Sequence, residues 1–338
     1  METDLRSKKV FIIAEAGVNH NGSIDLAKKL IDVASNSGAD AVKFQTFKAQ
    51  NLVTQKARKA KYQSKTTDKD KFQYTMLKKL ELNEEMHRKL ISYCKTKKII
   101  FLSSPFDIDS IKLLNNLGLE KFKIPSGEIT NLQYLSHLGK LNKKVILSTG
   151  MANIREVRDA LNVLINSGTK KKNIIVLHAN TEYPTPKEDV NLNAMVKMGK
   201  VFDISYGYSD HTLGIEVSIA ATALGAVCIE KHFTLNRNMK GPDHKASLEP
   251  NELNSMVKSI RNIEIALGSD KKIPTKSERP NIKIVRKSLV AAKDIKRGEF
   301  FSEKNLTAKR PGNGKSPFLF KKLLGKRSQK NYKKDQQI

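Results

Sequence analysis

The chain has 338 residues and only two cysteines, Cys94 and Cys228, each in apolar local sequence. There is no CxxC pair and no His/Cys cluster, so a disulfide scaffold and a zinc finger are excluded and two buried free thiols are expected. No run approaches the roughly 18 consecutive apolar residues of a membrane span. The opening residues Met1-Glu2-Thr3-Asp4-Leu5-Arg6 lack the apolar core of a secretory leader, which makes the cytoplasm the expected compartment. Acidic residues are also scarce: 34 Asp and Glu stand against 62 Lys and Arg, a formal charge of +28. Such an excess suits a polyanion binder. Yet only 12 of those cations are arginines, the residue that reads bases in bidentate fashion, and no aromatic interleaving accompanies them. A lysine-rich solvated surface is the better reading, with no specific nucleic acid or membrane as partner.

What is present is a repeat of short β-branched runs, each followed by apolar residues at helical spacing. The runs are Val10–Ala16, Ala41–Thr46, Ile99–Ser104, Lys121–Ser126, Lys144–Thr149, Ile174–Ala179, Asp203–Tyr208 and Ala226–Phe233. Alternating strand and helix means a parallel sheet. Eight repeats in about 270 residues match a (β/α)8 TIM barrel. A doubly wound open sheet is the runner-up, but no GxGxxG follows the first run. Between the second and third strands a basic stretch, Lys56–Lys71, precedes a helix expected over Asn83–Thr96, and it reads as a lid, a partner-contact loop or a plain solvated loop. Residues 1–268 form the barrel in this reading. Residues 269–282, with Pro274 and Pro280, read as a linker, and 283–338 as a small β-rich module with a turn at Lys296–Glu299.

Polar residues collect where nearly every strand ends. They include Glu15, Lys43 with Gln45, Ser104, Lys123 with Ser126 and Glu128, Ser148 with Thr149, Thr181 with Tyr183, Ser209 with His211, and His232. Any one of these could be a turn or a structural hydrogen bonder. Together they would form a ring at the C-terminal face of a barrel, where such folds keep their chemistry. Two lysines with neighbouring hydroxyls suit a phosphate plus a carboxylate. His211 and His232 suit a divalent transition metal with open positions. Glu15 and Glu128 are carboxylates available for ligand binding and proton transfer. Either lysine could instead be a Schiff-base nucleophile, and spacing alone leaves that open.

The ordered motifs IAEAGVNHNG, VKFQT, FKIPSGE, ILSTGMA, YPTP, GYSDHT, EKHFTL and GPDHKASLEP resemble the sialic acid (N-acetylneuraminate) synthase family. The later KSLVAAKDIKRGE and TAKRPGNG resemble that family's C-terminal antifreeze-like (SAF) domain. In motif detail the chain is most similar to the bacterial legionaminic acid synthases. The resemblance implies a transferase that condenses phosphoenolpyruvate with an acylated amino sugar. It implies that Lys43, Lys123, Ser126, Ser148 and Ser209, with Gln45 and Ser104 nearby, hold phosphoenolpyruvate. It implies that His211 and His232 bind a divalent ion, Mn2+ first, with Mg2+ or Co2+ as alternatives. Glu15, Thr181, Tyr183 and Asp243 would meet the acceptor, Glu128 would serve proton transfer, and Arg310 would reach the acceptor's acyl group across a domain-swapped homodimer.

Thr181 and Glu182 replace the Asn-apolar pair that precedes the tyrosine in typical N-acetylneuraminate enzymes. The change favours a 2,4-diacetamido-2,4,6-trideoxymannose over N-acetylmannosamine as acceptor. The rival classes are a Schiff-base sugar-acid aldolase and a catalytically dead, polyanion-binding barrel.

Overall fold

A computed structural model describes residues 9–60, 63–64, 67 and 72–338. Much of the basic stretch Lys56–Lys71 lies outside the described residues. The chain divides into two compact units, Met1–Gly268 and Ser269–Ile338.

In the first unit eight strands alternate with eight principal helices. The strands are β1 (Phe11–Gly17), β2 (Ala41–Thr46), β3 (Ile100–Pro105), β4 (Lys121–Ile124), β5 (Lys144–Ser148), β6 (Ile174–Ala179), β7 (Ser205–Asp210) and β8 (Cys228–His232). The helices are α1 (Ile24–Asn36), α2 (Glu84–Thr96), α3 (Ile108–Asn116), α4 (Leu132–Lys140), α5 (Ile154–Asn166), α6 (Leu192–Phe202), α7 (Glu216–Ala223) and α8 (Pro250–Leu267). All sheet pairings are parallel, in the order β3-β2-β1-β8-β7-β6-β5-β4. β3 and β4 pack side by side without a hydrogen-bonded ladder and close the ring, which gives the (β/α)8 barrel read from the sequence.

Strand alternation sorts each strand's side chains between two cores. Ile13, Ala41, Leu102, Ile146, Leu177 and Cys228 face inward and fill the barrel centre. Their neighbours one position away, among them Ile12, Val42, Leu147, Val176 and Ile229, face outward and pack under the helices. Both cysteines are buried free thiols. Several helices start directly after the strand-end loops because a side chain caps them: Ser23 for α1, Asn83 for α2, Asp107 for α3, Asn131 for α4 and Asn153 for α5. An N-cap oxygen replaces an absent backbone acceptor for an early N–H and keeps the preceding loop short.

The second unit pairs β9 (Ser288–Ala291) with β10 (Leu306–Lys309) antiparallel, over a core of Leu289, Ala291, Ile295, Phe301, Leu306, Tyr332 and Ile338. Gly298, at φ +87°, makes the turn in which Glu299 N donates to the Lys296 carbonyl at 3.0 Å. One difference from the sequence reading is a helix, α9 (Arg279–Val285), where a linker was expected to run to residue 282. Pro280 falls in its first turn, where a missing N–H costs no hydrogen bond, so a proline counted toward the linker instead starts a helix. The positive charge is also uneven. Residues 269–338 hold 21 Lys and Arg against 6 Asp and Glu, so about half of the excess sits in the much shorter second unit.

Candidate active site

A cavity of about 310 Å3 opens at the C-terminal ends of the barrel strands. Its lining includes Glu15, Lys43, Gln45, Ser104, Lys123, Ser126, Ser148, Thr181, Tyr183, Ser209, His211, His232 and Asp243. The inward face of each strand explains the gathering. Lys43 lies two residues beyond Ala41, Ser104 beyond Leu102, Ser148 beyond Ile146 and Glu15 beyond Ile13, so each polar group stands directly above the apolar inner core. In register, Glu15 is level with Lys43 on one side and His232 on the other. Between Glu15 and Gly17 the β1–β2 register slips by one residue. Gly17, at φ +52°, makes room there, since a Cβ would stand 3.1 Å from the His232 ring.

The floor is a buried cluster of charges. Lys43 Nζ lies 2.8 Å from Glu15 and 3.3 Å from Glu230, and Lys123 Nζ lies 3.1 Å from Glu230. Burial alone would raise the Glu15 carboxyl, but Lys43, His232 and Lys123 outweigh it and hold it well below the usual carboxylate range. Burial pulls the Lys43 ammonium down, and Glu15 and Glu230 more than reverse that. For Lys123 burial prevails over Glu230, and its pKa falls below the ordinary lysine value. Ser148 Oγ is buried without a hydrogen-bond partner. An unsatisfied buried hydroxyl beside two buried ammonium groups is the signature of a place kept for an anionic ligand.

On the next strands the imidazoles of His211 and His232 have centroids 5.5 Å apart. His211 Nδ1 meets the Asn180 carbonyl at 2.5 Å, which fixes the proton there and leaves Nε2 as an acceptor, reached at 3.0 Å by the Tyr183 hydroxyl. Burial, helped by His232, pushes the His211 pKa down to about 3, so the ring is neutral and able to ligate. His232 Nδ1 is buried and unpartnered, and its Nε2 lies 3.6 Å from Glu15. Two imidazole nitrogens beside the acid side chains Glu15 and Asp243 are a donor set suited to a divalent ion. No group of three or more His, Cys, Asp or Glu converges on one point among the described residues, so ligand or water would complete the coordination.

Gly150 N donates to Ser126 Oγ at 2.9 Å, and a Cβ on Gly150 would stand 2.6 Å from Thr181 Cγ2 and 2.8 Å from that same Oγ. This glycine therefore lets the ends of β4, β5 and β6 converge. Asp243 lines the cavity with its carboxyl raised, by burial first and by Glu15, against the pull of His232.

Three candidates named from the sequence are not in this lining: Glu128, Arg310 and Thr149, whose buried hydroxyl donates to the Leu177 carbonyl at 3.0 Å. Glu128 was read as the proton-transfer carboxylate, yet it does not face the cavity: β4 stops at Ile124, Pro125 has no N–H to extend the ladder, and Ser126–Glu128 coils into a 3-10 turn. Half-buried there, its carboxylate accepts from Asn131 Nδ2 at 2.7 Å. Arg310 belongs to the second unit, exposed beyond β10, with Nε donating to the Val285 carbonyl at 2.9 Å. Conversely, Glu230, a polar residue of the eighth strand's end, was given no role from the sequence. It is buried, pairs with both lysines and accepts from Ser209 Oγ at 3.0 Å. Alternation could have found it, because Cys228, Glu230 and His232 share one face of β8.

The barrel, its ring of strand-end polar groups and the buried cations under an open cavity define a TIM-barrel enzyme for anionic substrates. More particularly, the chain belongs to the NeuB family, whose model matches residues 30–272, and a SAF domain is matched at 286–338. It is 60% identical over 331 residues to the N,N'-diacetyllegionaminic acid synthase of Campylobacter jejuni, covering 98% of this chain and 99% of that protein. The human N-acetylneuraminate-9-phosphate synthase is 36% identical, over 88% of this chain and 82% of that one. Among solved structures, an N-acetylneuraminic acid synthetase from Leptospira borgpetersenii superposes with a TM-score of 0.72 at 33% identity, covering 81% of this chain and 90% of its own.

Proposed function

We propose that this enzyme condenses phosphoenolpyruvate with 2,4-diacetamido-2,4,6-trideoxymannose and water, giving N,N'-diacetyllegionaminic acid and phosphate in the cytosol. The observation that carries the chemistry is the pair of buried lysines beside an unpartnered Ser148 hydroxyl, next to the His211 and His232 imidazoles. Similarity at 60% identity to a synthase of that product supports the choice of acceptor.

In this reading Lys43 and Lys123 hold the phosphate and carboxylate of the donor, with Ser126, Ser148 and Ser209 around them and Gln45 and Ser104 at the side. Glu230 keeps both lysines aimed while the site is empty of substrate. His211 and His232 hold the divalent ion, Mn2+ by preference, and when bound it supplies Lewis-acid polarisation of the acceptor's aldehyde oxygen. Glu15, Thr181, Tyr183 and Asp243 orient the acceptor. A bond forms between C3 of phosphoenolpyruvate and the aldehyde carbon, water adds at C2, and the C2–O bond to phosphate breaks. The aldehyde oxygen gains a proton and the water loses its own. Glu15 and Asp243 face the cavity in which those protons move, and Glu128 does not. Fixed charges already in place give the developing charge its stabilisation without reorganisation. Arg310 of each copy would contact the acyl group of the acceptor bound by the other copy in a domain-swapped dimer.

The test is phosphate release from phosphoenolpyruvate with Mn2+ and either acceptor. Release with the diacetamido sugar, and little with N-acetylmannosamine, is expected. Release with N-acetylmannosamine alone would replace the acceptor. A lysine adduct trapped by borohydride with pyruvate would replace the mechanism by a Schiff-base one.

A further inference from the structure

The cavity has two chemically different sides. Besides the charged floor, Val18, Leu52, Met76, Leu77, Leu80 and Phe106 line it, and they belong to one apolar cluster separate from the main core. Most of this side comes from the long β2–α2 connection. There a short helix (Gln73–Lys78) and the turn after it present Gln73, Met76, Leu77 and Leu80 at spacings of three, four and seven, which places them on one face. Val18 and Phe106, just past the ends of β1 and β3, extend this side toward the barrel strands. The residues form a cluster of their own, apart from the main core that packs under the barrel helices.

We propose that this apolar wall selects the acceptor, receiving its 6-deoxy methyl and an acyl methyl and disfavouring sugars that carry hydroxyls at those places. The proposal rests on the function given above and assigns its specificity to residues outside the strand-end ring. The charges of phosphoenolpyruvate belong on the lysine and serine side, which leaves the wall to the neutral substrate. A hydroxyl pressed against Met76 or Leu80 gives up its water and finds no acceptor in those two side chains, with Gln73 the one amide on their helical face, whereas a methyl group gains contact. Because an apolar surface rejects an added hydroxyl only weakly, the wall contributes a preference of about 100-fold and not an absolute block.

The experiment compares kcat/KM for the diacetamido-trideoxy sugar with that for N-acetylmannosamine in wild type, Met76→Gln and the half-buried Leu77→Gln, with folding checked by circular dichroism. In both variants the ratio is expected to fall by about tenfold, with the acceptor KM moving more than the KM for phosphoenolpyruvate. Two folded variants that keep the wild-type ratio, while wild type prefers the trideoxy sugar, would overturn the wall and leave the function standing. A wild type that uses N-acetylmannosamine and ignores the trideoxy sugar would overturn both.

Discussion

Glu230→Gln removes one charge from a buried set that is balanced without substrate: Glu15 and Glu230 against Lys43 and Lys123. The amide can still accept from Ser209, so the shape of the floor survives. Lys123, however, loses the one carboxylate within ion-pair distance of it among the described residues. At 3.1 Å and an effective dielectric of about 20 the attraction is about 5 kcal/mol. Stranding one partner of such a buried pair costs about 3–5 kcal/mol. Lys123 already sits below the ordinary lysine pKa through burial, and Glu230 is the first influence holding it up. A lysine with a depressed folded pKa binds fewer protons folded than unfolded, so stability rises with pH in that range. The deficit of the variant is therefore expected to be greatest near neutrality and to shrink as pH climbs toward the unfolded lysine value of about 10.4. Phosphoenolpyruvate bound as proposed would return negative charge to the lysines, so it should stabilise the variant more than wild type. Urea unfolding followed by circular dichroism, with and without phosphoenolpyruvate, reads all three effects. A variant within about 1 kcal/mol of wild type, with the same gain from ligand, would refute the counter-ion role.

Three further outcomes are expected. His211→Ala and His232→Ala should weaken Mn2+ binding in calorimetric titration and abolish turnover while leaving the thermal unfolding of the metal-free protein close to wild type; undiminished Mn2+ affinity would remove them as ligands. Arg310→Ala should raise the acceptor KM more than the phosphoenolpyruvate KM, and an unchanged acceptor KM would detach the small unit from the site. Lys231→Met should cost about 3–5 kcal/mol in chemical denaturation, since it leaves Asp210 buried without its 2.9 Å partner, and a neutral result would show that the pair is dispensable.

The barrel was legible because its strands carry their own punctuation. Ala41–Thr46 and Ile174–Ala179 match the runs read from the sequence, and the other strands differ at their ends by a few residues. Strand ends are where a parallel ladder gives way to side-chain and loop contacts, so composition marks them poorly. β8 shows the effect: the sequence run Ala226–Phe233 shortens to Cys228–His232. The ring of polar groups was legible for a related reason, since polar residues directly after β-branched runs have few places to go in a barrel except its C-terminal face. Two kinds of feature were not legible. Glu128 looked like Glu15 in the sequence, and only the coil after Pro125 turns it away from the cavity. The apolar lining of the cavity was not legible because its residues come from the segments just after β1 and β3 and from a long insertion, and its helical face is too short to announce itself.

Alternation along β8 shows how one strand serves the cavity and the packing around it at once. Glu230 and His232 face the cavity, while Lys231 between them faces outward and is fully buried against Asp210 of β7. Asp210 in turn accepts from the Thr212 backbone and hydroxyl and from Ser218, and Lys231 also donates to the Thr212 carbonyl at 2.8 Å. His211 is therefore held between two residues, Asp210 and Thr212, that are both tied to a lysine it does not touch. Its own ring is then oriented by the Asn180 carbonyl and by Tyr183. A charged pair buried under the helices is costly to assemble, and an apolar replacement of both partners could be as stable. What an apolar pair would not supply is the set of directed bonds that fixes the turn carrying His211. The outward face of these strands thus sets the geometry that the inward face uses, and residues such as Lys231 matter to the site without lining it.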